Sequence, residues 1–171
     1  TVDERIHEAL DKKEKRMVLV RDRMGEKPLY YGWIENMFVF ASELSAFRSI
    51  PRWQRKINLN ALGLFFQHNY VPDPASIFEG IYKLPAGAFL ELDQAAQKSA
   101  PENFSPAADG HPAFFSPRLY WNLSEQYFSV GQDHSVIDNP KKNLRNLLRT
   151  TIGNKLNADV PVGTLLSGGI D

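Results

Sequence analysis

The sequence contains no cysteine among its 171 residues. This excludes disulfide bonds, thiolate metal sites and a cysteine nucleophile within the chain. No apolar run approaches the ~20 residues that a membrane-spanning helix requires, and no signal peptide opens the chain. Twenty basic and twenty acidic residues cancel, so the composition indicates neither nucleic acid nor an anionic membrane as a partner. We expect a soluble cytoplasmic protein. Homo-oligomerisation stays open.

The stretch 159–171 holds the most informative pattern. An apolar run over 160–166 leads straight into Ser-Gly-Gly at 167–169, which is typical of a buried strand that ends in a glycine turn. Adjacent glycines allow positive φ and present successive N–H groups to an anion. Ser167 adds a hydroxyl donor, and the Asp171 carboxylate can face Mg²⁺ or fix the turn. The pattern lacks the Gly-Lys-Ser/Thr of the mononucleotide P-loop, and Ser-Gly-Gly alone is also an ordinary tight turn.

The first half of the chain predicts mainly strands. Apolar runs indicate strands over 17–20, 29–34, 37–41 and 88–92, and the second and third of these form an antiparallel hairpin across the turn 35–36. The charge-dense stretch 3–16 has Glu8 and Lys12 four residues apart, which weakly supports a helix. We expect that stretch to be a solvated surface segment or a frayed end.

Three helices are predicted from their caps. Ser42 can cap a helix over 42–47, and Asn58 can cap one that ends before Pro72. Asn139 precedes Pro140 at the first position of the third helix. The apolar face of the second helix comprises Leu59, Leu62, Phe65 and Phe66. That of the third comprises Leu144, Leu147, Leu148, Thr151, Ile152 and Leu156, with basic residues mostly away from it.

Several polar residues have structural interpretations on their own. Arg21, Asp22 and Arg23 form the pattern of an ion-pair cluster at a strand end. Glu43 is typical of an acid in the first turn of a helix, and His68 of a structural or solvated residue at a helix end. The stretch 94–117 is rich in Ala, Ser, Pro, Asn and Gly, which predicts a flexible linker or surface insertion.

Two longer motifs resemble a known family. Residues 20–32 read Val-Arg-Asp-Arg-Met-Gly-Glu-Lys-Pro-Leu-Tyr-Tyr-Gly and 40–44 read Phe-Ala-Ser-Glu-Leu. Both resemble the second half of the class II glutaminase domain of glutamine-hydrolysing asparagine synthetases. Residues 159–171 resemble the opening of the ATP-pyrophosphatase domain of the same enzymes. The residues that carry the glutaminase motif are Arg21, Asp22, Gly25, Pro28, Ser42 and Glu43.

The resemblance implies a fold of the α+β and α/β classes. Residues 1–92 would form the C-terminal part of a glutaminase domain with the αββα layers of N-terminal-nucleophile hydrolases. Residues 93–117 would be the linker or insertion, and 118–171 the first unit of a doubly wound ATP-pyrophosphatase domain. The chain would then be a fragment of a longer enzyme.

The resemblance also implies an activity. Glutamine would be hydrolysed to release ammonia, and ATP would activate aspartate as β-aspartyl-AMP, which ammonia converts to asparagine. The small-molecule substrates would be glutamine, aspartate and ATP, with ATP and Mg²⁺ as cofactors. The residues implied to bind the pyrophosphate end of ATP are Leu166, Ser167, Gly168, Gly169 and Asp171, and Asp171 is the one implied to face Mg²⁺.

No catalytic residue is assigned to this chain. The nucleophile of the family is an N-terminal cysteine, whereas Thr1 opens this sequence and leads into a charged segment rather than a strand. We expect the 171-residue chain alone to be inactive. Two other interpretations stay open: an amidotransferase of this family with another acceptor, and a non-catalytic glutaminase-like scaffold.

Overall fold

The computed structural model describes residues 7–11, 15–51, 53–107, 115–130 and 139–163. Contacts divide the chain into two units, Thr1–Tyr127 and Phe128–Asp171. The elements in chain order are β1 (His7–Asp11), β2 (Arg16–Val20), β3 (Tyr30–Ile34), β4 (Met37–Ala41), a 3-10 helix (Leu44–Ser49), α1 (Leu59–His68), β5 (Ile81–Lys83), β6 (Ala88–Leu92), β7 (Arg118–Leu119), α2 (Leu123–Val130) and α3 (Pro140–Lys155). The fold is a mixed one with two small antiparallel sheets, which agrees with the predicted class at this coarse level.

The first sheet has the strand order β1-β2-β6-β7, and every pair in it is antiparallel. β1 corrects the weak expectation of a helix within 3–16, because residues 7–11 pair with β2 as a strand in the register Ala9↔Val18. Pairing along a whole strand edge outweighs the few tenths of a kcal/mol that one Glu–Lys pair gives a helix. β7 places Arg118 and Leu119 in the first unit, so the unit boundary after Tyr127 differs from the predicted boundary at 118.

The second sheet has the order β4-β3-β5. β3 and β4 form the predicted hairpin, and the register Ile34↔Met37 leaves a two-residue turn. Glu35 in that turn has φ 56°, the left-handed conformation that tight hairpin turns require. The local turn and strand signals of this region therefore hold.

The main core lies where inward side chains of both sheets meet. Leu19 and Leu90 from the first sheet and Tyr31 from the second belong to one buried cluster, and Trp33 packs against it. Tyr31 alternates with Tyr30 and Gly32 along β3, so its neighbours face the other side of the sheet. That other side carries a second cluster of Ile34, Val39, Phe47 and Ile81.

The segment after β4 corrects a predicted helix cap. Ser42 does not cap an α-helix. A 3-10 helix follows instead, with Glu43 at the N-cap position and no side-chain cap hydrogen bond. Pro51 disfavours helical backbone at Ile50, so there is room for only a short turn before the chain must extend. Phe47 anchors this turn in the second cluster.

α1 begins as predicted but does not bury its apolar face. The Asn58 side chain accepts hydrogen bonds from the backbone N–H groups of Asn60 and Ala61, which confirms the cap. Among the described residues Leu59 and Phe66 are about three-quarters exposed, at 75% and 76%, and Phe65 is also exposed. The buried residue of this helix is Ala61.

The stretch 93–117 differs from a flexible linker over its described residues. Ala96 is buried in the main core, and the Phe104 ring packs against Trp33 with centroids 4.8 Å apart. Phe104 also forms an isolated parallel bridge with Phe115. These aromatic residues give the stretch the apolar anchors that its small and polar composition hides.

In the second unit α3 has its predicted cap, since Asn139 accepts a hydrogen bond from the Lys142 N–H. None of the described α3 side chains is buried. The predicted strand 160–166 is wrong over its described residues 160–163, which have no strand conformation and in which Val160 and Val162 are exposed. A parallel strand needs a neighbouring strand for its hydrogen bonds, and the described residues of this unit, 128–130 and 139–163, contain none.

Candidate functional site

The predicted phosphate-binding loop lies outside the described residues. This concerns Leu166, Ser167, Gly168, Gly169 and Asp171. Their assignment to ATP and Mg²⁺ therefore stays a prediction. In the part of the chain that the structure describes, no group of three or more His, Cys, Asp or Glu side chains could hold a metal ion.

The glutaminase motif divides between two places. Arg21, Asp22, Gly25 and Pro28 lie in one loop that follows β2 in the first sheet. Ser42 and Glu43 follow β4 in the second sheet, and both are exposed. The Ser45 hydroxyl donates a hydrogen bond to the Glu43 carboxylate at 2.9 Å. The structure thus brings the first four residues together.

The Arg21 side chain organises that loop. It is only 6% exposed, although arginine is rarely buried unless its donors are paired. Its Nε donates to the Lys27 carbonyl at 3.0 Å, its Nη2 to the Gly25 carbonyl at 2.9 Å and its Nη1 to the Leu84 carbonyl at 2.6 Å. The rigid fork of the guanidinium suits such a set of acceptors.

The ionic partner of Arg21 is Asp73, 52 residues further along the chain, with Nη1 and Oδ2 2.7 Å apart. The Lys83 ammonium binds the other carboxylate oxygen of Asp73 at 3.1 Å. The sequence-based interpretation of Arg21, Asp22 and Arg23 as an ion-pair cluster at a strand end is thus corrected for Arg21, whose carboxylate partner is distant in the sequence. Strand-end patterns report on neighbours in sequence, so no local signal identifies Asp73.

Asp22 holds the loop through its main chain and one carboxylate oxygen. Its carbonyl accepts hydrogen bonds from the N–H groups of Gly25 at 3.1 Å and Gly87 at 2.9 Å. Its Oδ2 accepts from the Glu26 N–H at 3.0 Å. Its Oδ1 is buried and has no hydrogen-bond partner among the described residues.

Gly25 is required by both conformation and space. Its φ of +63° is the left-handed region that glycine enters without cost. A Cβ there would lie 2.9 Å from the Arg21 Nη2 atom and 2.9 Å from the Ala86 Cβ. The glycine of the motif therefore lets the loop close over the guanidinium.

The segment after β7 joins the same cluster. The Tyr120 hydroxyl donates to the Arg21 carbonyl at 2.8 Å, and the N–H groups of Tyr120 and Trp121 both donate to the Gly87 carbonyl, at 2.9 and 3.2 Å. Burial raises the pKa of Tyr120, with a further rise from Asp22 and an opposing effect from Arg23. We call the residues from Arg21 to Pro28, with Asp73, Gly87 and Tyr120, the Arg21 cluster.

A surface hollow of about 300 Å³ lies beside this cluster. Its lining consists of Arg23, Met24, Ala86, Leu119, Trp121, Asn122 and Leu123. The walls are mostly apolar, and no nucleophile with an adjacent base is among them. The hollow has room for an apolar side chain, and the described residues supply no acid–base pair there.

The remaining candidate, His68, is exposed at the end of α1, as predicted. Its ring lies near that of Tyr70, with centroids 6.1 Å apart. The described helices include none that is both long enough and apolar enough to cross a bilayer.

Comparison with protein families gives two matches in order along the chain. Residues 8–104 match the model for a glutamine amidotransferase domain, and residues 143–171 match the model for asparagine synthase. The first match contains the whole Arg21–Pro28 loop and Asp73. Tyr120 and Trp121 lie in the stretch between the two matches.

Individual relatives agree with this assignment. A putative glutamine-hydrolysing asparagine synthetase from Methanocaldococcus jannaschii is 32% identical over 94% of this chain, and asparagine synthetase 2 of Bacillus subtilis is 29% identical over 94%. Amidase chry2 of Gibberella zeae is 27% identical over 94%. The chain spans 28%, 20% and 21% of the lengths of these relatives.

The amidotransferase match covers more than half of the 171 residues. The asparagine synthase match follows it on the same chain, in agreement with the names of the two synthetase relatives. The chain therefore belongs to the glutamine amidotransferase domain family through residues 8–104, and it is similar to asparagine synthases over residues 143–171.

Proposed function

We propose that the chain is part of a glutamine-dependent asparagine synthetase, a ligase that amidates aspartate at the expense of ATP. The observation that carries this proposal is the succession of an amidotransferase match and an asparagine synthase match on one chain. An amidotransferase releases ammonia from glutamine, and a synthase consumes it. The order of the matches thus agrees with the order of the two half-reactions.

The proposed chemistry has two steps in the synthase half. The aspartate β-carboxylate attacks the α-phosphate of ATP, pyrophosphate leaves, and β-aspartyl-AMP forms. Ammonia then attacks the activated carbonyl, the bond to AMP breaks, and asparagine is released. The turn 167–169 is proposed to meet the charge on the departing pyrophosphate with backbone N–H groups and the Ser167 hydroxyl. Mg²⁺ is proposed at Asp171, where it would neutralise the same charge.

The Arg21 cluster is proposed to support the glutaminase half of the enzyme structurally. The Arg21 cluster fixes the motif loop against the segment between β5 and β6 through bonds to Leu84 and Gly87. The 171 residues contain no cysteine, so the family's thiolate nucleophile is not among them. We therefore propose that the 171-residue chain alone neither hydrolyses glutamine nor makes asparagine.

The test uses the full-length protein that carries this chain. It should catalyse exchange between ATP and labelled pyrophosphate only when aspartate is present, and with glutamine it should form asparagine detectable by mass spectrometry. Asparagine formation by the purified 171-residue chain would contradict the proposal that this chain alone is inactive. Absence of aspartate-dependent exchange in the full-length protein would contradict the proposed acceptor.

A second candidate is an amidotransferase of this family with another acceptor. Two relatives carry the name amidase, chry2 of Gibberella zeae at 27% identity and chyE of Penicillium rubens at 24%. In that case exchange would depend on a different carboxylic acid. A non-catalytic glutaminase-like scaffold, the third candidate, would show no exchange with any acid.

A further inference from the structure

We propose that Arg21 couples the Asp73 segment to the Tyr120–Trp121 segment, so that Asp73 sets the local stability of residues it does not contact. Asp73 lies within the amidotransferase match, and Tyr120 and Trp121 lie between that match and the asparagine synthase match. The coupling would thus act on the stretch that leads from one matched range to the other. It follows from contacts inside the first unit and does not depend on the proposed acceptor.

The first step is the set of contacts that hold the Arg21 side chain. Among the described residues, the buried guanidinium has one carboxylate partner, Asp73 Oδ2 at 2.7 Å, and its other partners are backbone carbonyls. Removing that charge leaves a buried cation paired with neutral acceptors alone, which is strongly unfavourable. Hydration would then lower the free energy of the guanidinium, so it would move toward water. The Gly25 carbonyl that is bound to it would move with it.

The second step is the set of hydrogen bonds that hold the backbone at Arg21 and Asp22. The N–H of Arg21 donates to the Ala88 carbonyl at 3.0 Å, and its carbonyl accepts from the Tyr120 hydroxyl at 2.8 Å. Next to it, the Asp22 carbonyl accepts from the Gly87 N–H, whose own carbonyl accepts from Tyr120 and Trp121. A shift of the Arg21 backbone therefore reaches Tyr120 by two routes.

The third step is the close packing around Gly25 and Gly87. A Cβ at Gly87 would lie 2.5 Å from the Trp121 carbonyl, and a Cβ at Gly25 would lie 3.0 Å from the guanidinium carbon of Arg21. Both glycines have positive φ, so their neighbours are held at close approach. Close packing of this kind transmits displacement instead of absorbing it. The two ends of Arg21 are thus connected mechanically as well as by hydrogen bonds.

The test is amide hydrogen exchange in the chain carrying Asp73→Asn. Asparagine keeps the shape and an acceptor but removes the charge. The Tyr120 and Trp121 amides, which bond to Gly87, should exchange about tenfold faster, in the usual range for coupled sites. Amides of the β2–β6 pair, such as Leu19 and Leu90, should change less than about twofold.

The matched control is Glu79→Gln. Glu79 pairs with Lys56 at 2.8 Å on the surface, with side chains 45% and 71% exposed. Loss of such a pair costs little, so exchange at Tyr120 and Trp121 should stay within about twofold of the unmodified chain. Equal acceleration in both variants would overturn the proposal, as would a uniform change across β2 and β6 in Asp73→Asn.

Reciprocity gives an independent variant that should fold. Coupling between two sites is equal in both directions, so Tyr120→Phe, which removes only the bond to the Arg21 carbonyl, should accelerate exchange near Asp73. The amides that report there are Ala75, bonded to the Pro72 carbonyl, and Lys83, bonded to the Pro74 carbonyl. If Tyr120→Phe changes exchange only at 118–122, Arg21 does not couple the two segments.

Discussion

Gly32 in β3 lies directly against the backbone carbonyl of Gly80, so close that a methyl group at position 32 would overlap the carbonyl oxygen. The Ile81 side chain, which is opposite Gly32 in the β3–β5 pair, would lie 3.0 Å from the same methyl group. The contact is with backbone, which cannot rotate away. β5 can therefore join the second sheet only if position 32 has no side chain.

The first prediction is that Gly32→Ala destabilises the chain by about 2 kcal/mol or more, because the added group is overpacked against rigid backbone. The control is Gly63→Ala in α1, where a new Cβ meets nothing within 4 Å. That variant should gain up to about 1 kcal/mol, since alanine is the better helix residue. Urea unfolding measures both, and similar stability of the two variants would contradict the packing argument.

The glycines also show what sequence can reveal. Gly25 was recognisable as a loop residue, because glycine next to charged residues and before a proline marks a turn. Gly32 sits in an apolar run whose pattern predicts a strand, and nothing in that pattern identifies Gly80 as a neighbour. A local sequence pattern can indicate the backbone conformation that a turn requires. It does not indicate which distant segments approach each other closely.

The second prediction concerns Arg21→Met, which keeps much of the side-chain volume but removes every donor. It should cost on the order of 3 kcal/mol, because the Leu84 carbonyl loses a buried hydrogen bond and Asp73 loses a charged partner. The value should lie at the low end for buried pairs, since Asp73 is 30% exposed and keeps Lys83. Chemical denaturation with a linear extrapolation measures the loss.

Lys56→Met supplies the comparison for Arg21→Met. Lys56 also loses a carboxylate partner, Glu79, but on the surface, and the expected cost is below about 1 kcal/mol. Arg21→Lys should behave like Arg21→Met rather than like the native chain, because an ammonium cannot reach the diverging carbonyls that the guanidinium fork binds. Native stability of Arg21→Lys would show that charge alone suffices.

The third prediction is a loss of stability at alkaline pH that depends on Tyr31. Its side chain is fully buried in the aromatic part of the main core, and its hydroxyl has no partner among the described residues. Burial raises the pKa of Tyr31 far above its ordinary value of 10.0, with a smaller rise from Tyr82. The folded chain therefore keeps the phenol proton where the unfolded chain releases it.

The sign follows from this difference in bound protons. Stability from Tyr31 is fully present below pH 10 and falls as the pH rises above that value, by up to about 1.4 kcal/mol per pH unit. Tyr31→Phe should reduce this slope in urea unfolding between pH 9 and 11 and cost little at pH 7, because no hydrogen bond is lost. Equal slopes in the Tyr31→Phe variant and in the unmodified chain would contradict the assignment to Tyr31.

Features that are decided within a few residues could be predicted from the sequence, whereas features that depend on distant residues could not. Caps at Asn58 and Asn139 and the hairpin turn at 35–36 were correct, because each is decided within a few residues. The strand over 160–163 was wrong, although its apolar pattern is clear. A strand is completed by its neighbours, and the described residues of that unit offer none. The ion pair between Arg21 and Asp73 could not be predicted for the same reason, because its partners are distant in the sequence.

The last prediction tests the assignment of the turn 167–169 to pyrophosphate. In the full-length protein, Gly168→Ala should slow aspartate-dependent ATP–pyrophosphate exchange by about 100-fold, the usual cost of disturbing one backbone donor to a developing oxyanion, because a side chain restricts positive φ and blocks close approach of the phosphate. Gly153→Ala in α3 is the control, since a Cβ there meets nothing within 4 Å, and exchange should stay within about twofold. Thermal unfolding of both variants separates a lost phosphate contact from a lost fold. Full exchange activity in a stably folded Gly168→Ala protein would mean that the turn does not bind the triphosphate of ATP, and the proposed function would then rest on the two family matches without a role for this turn.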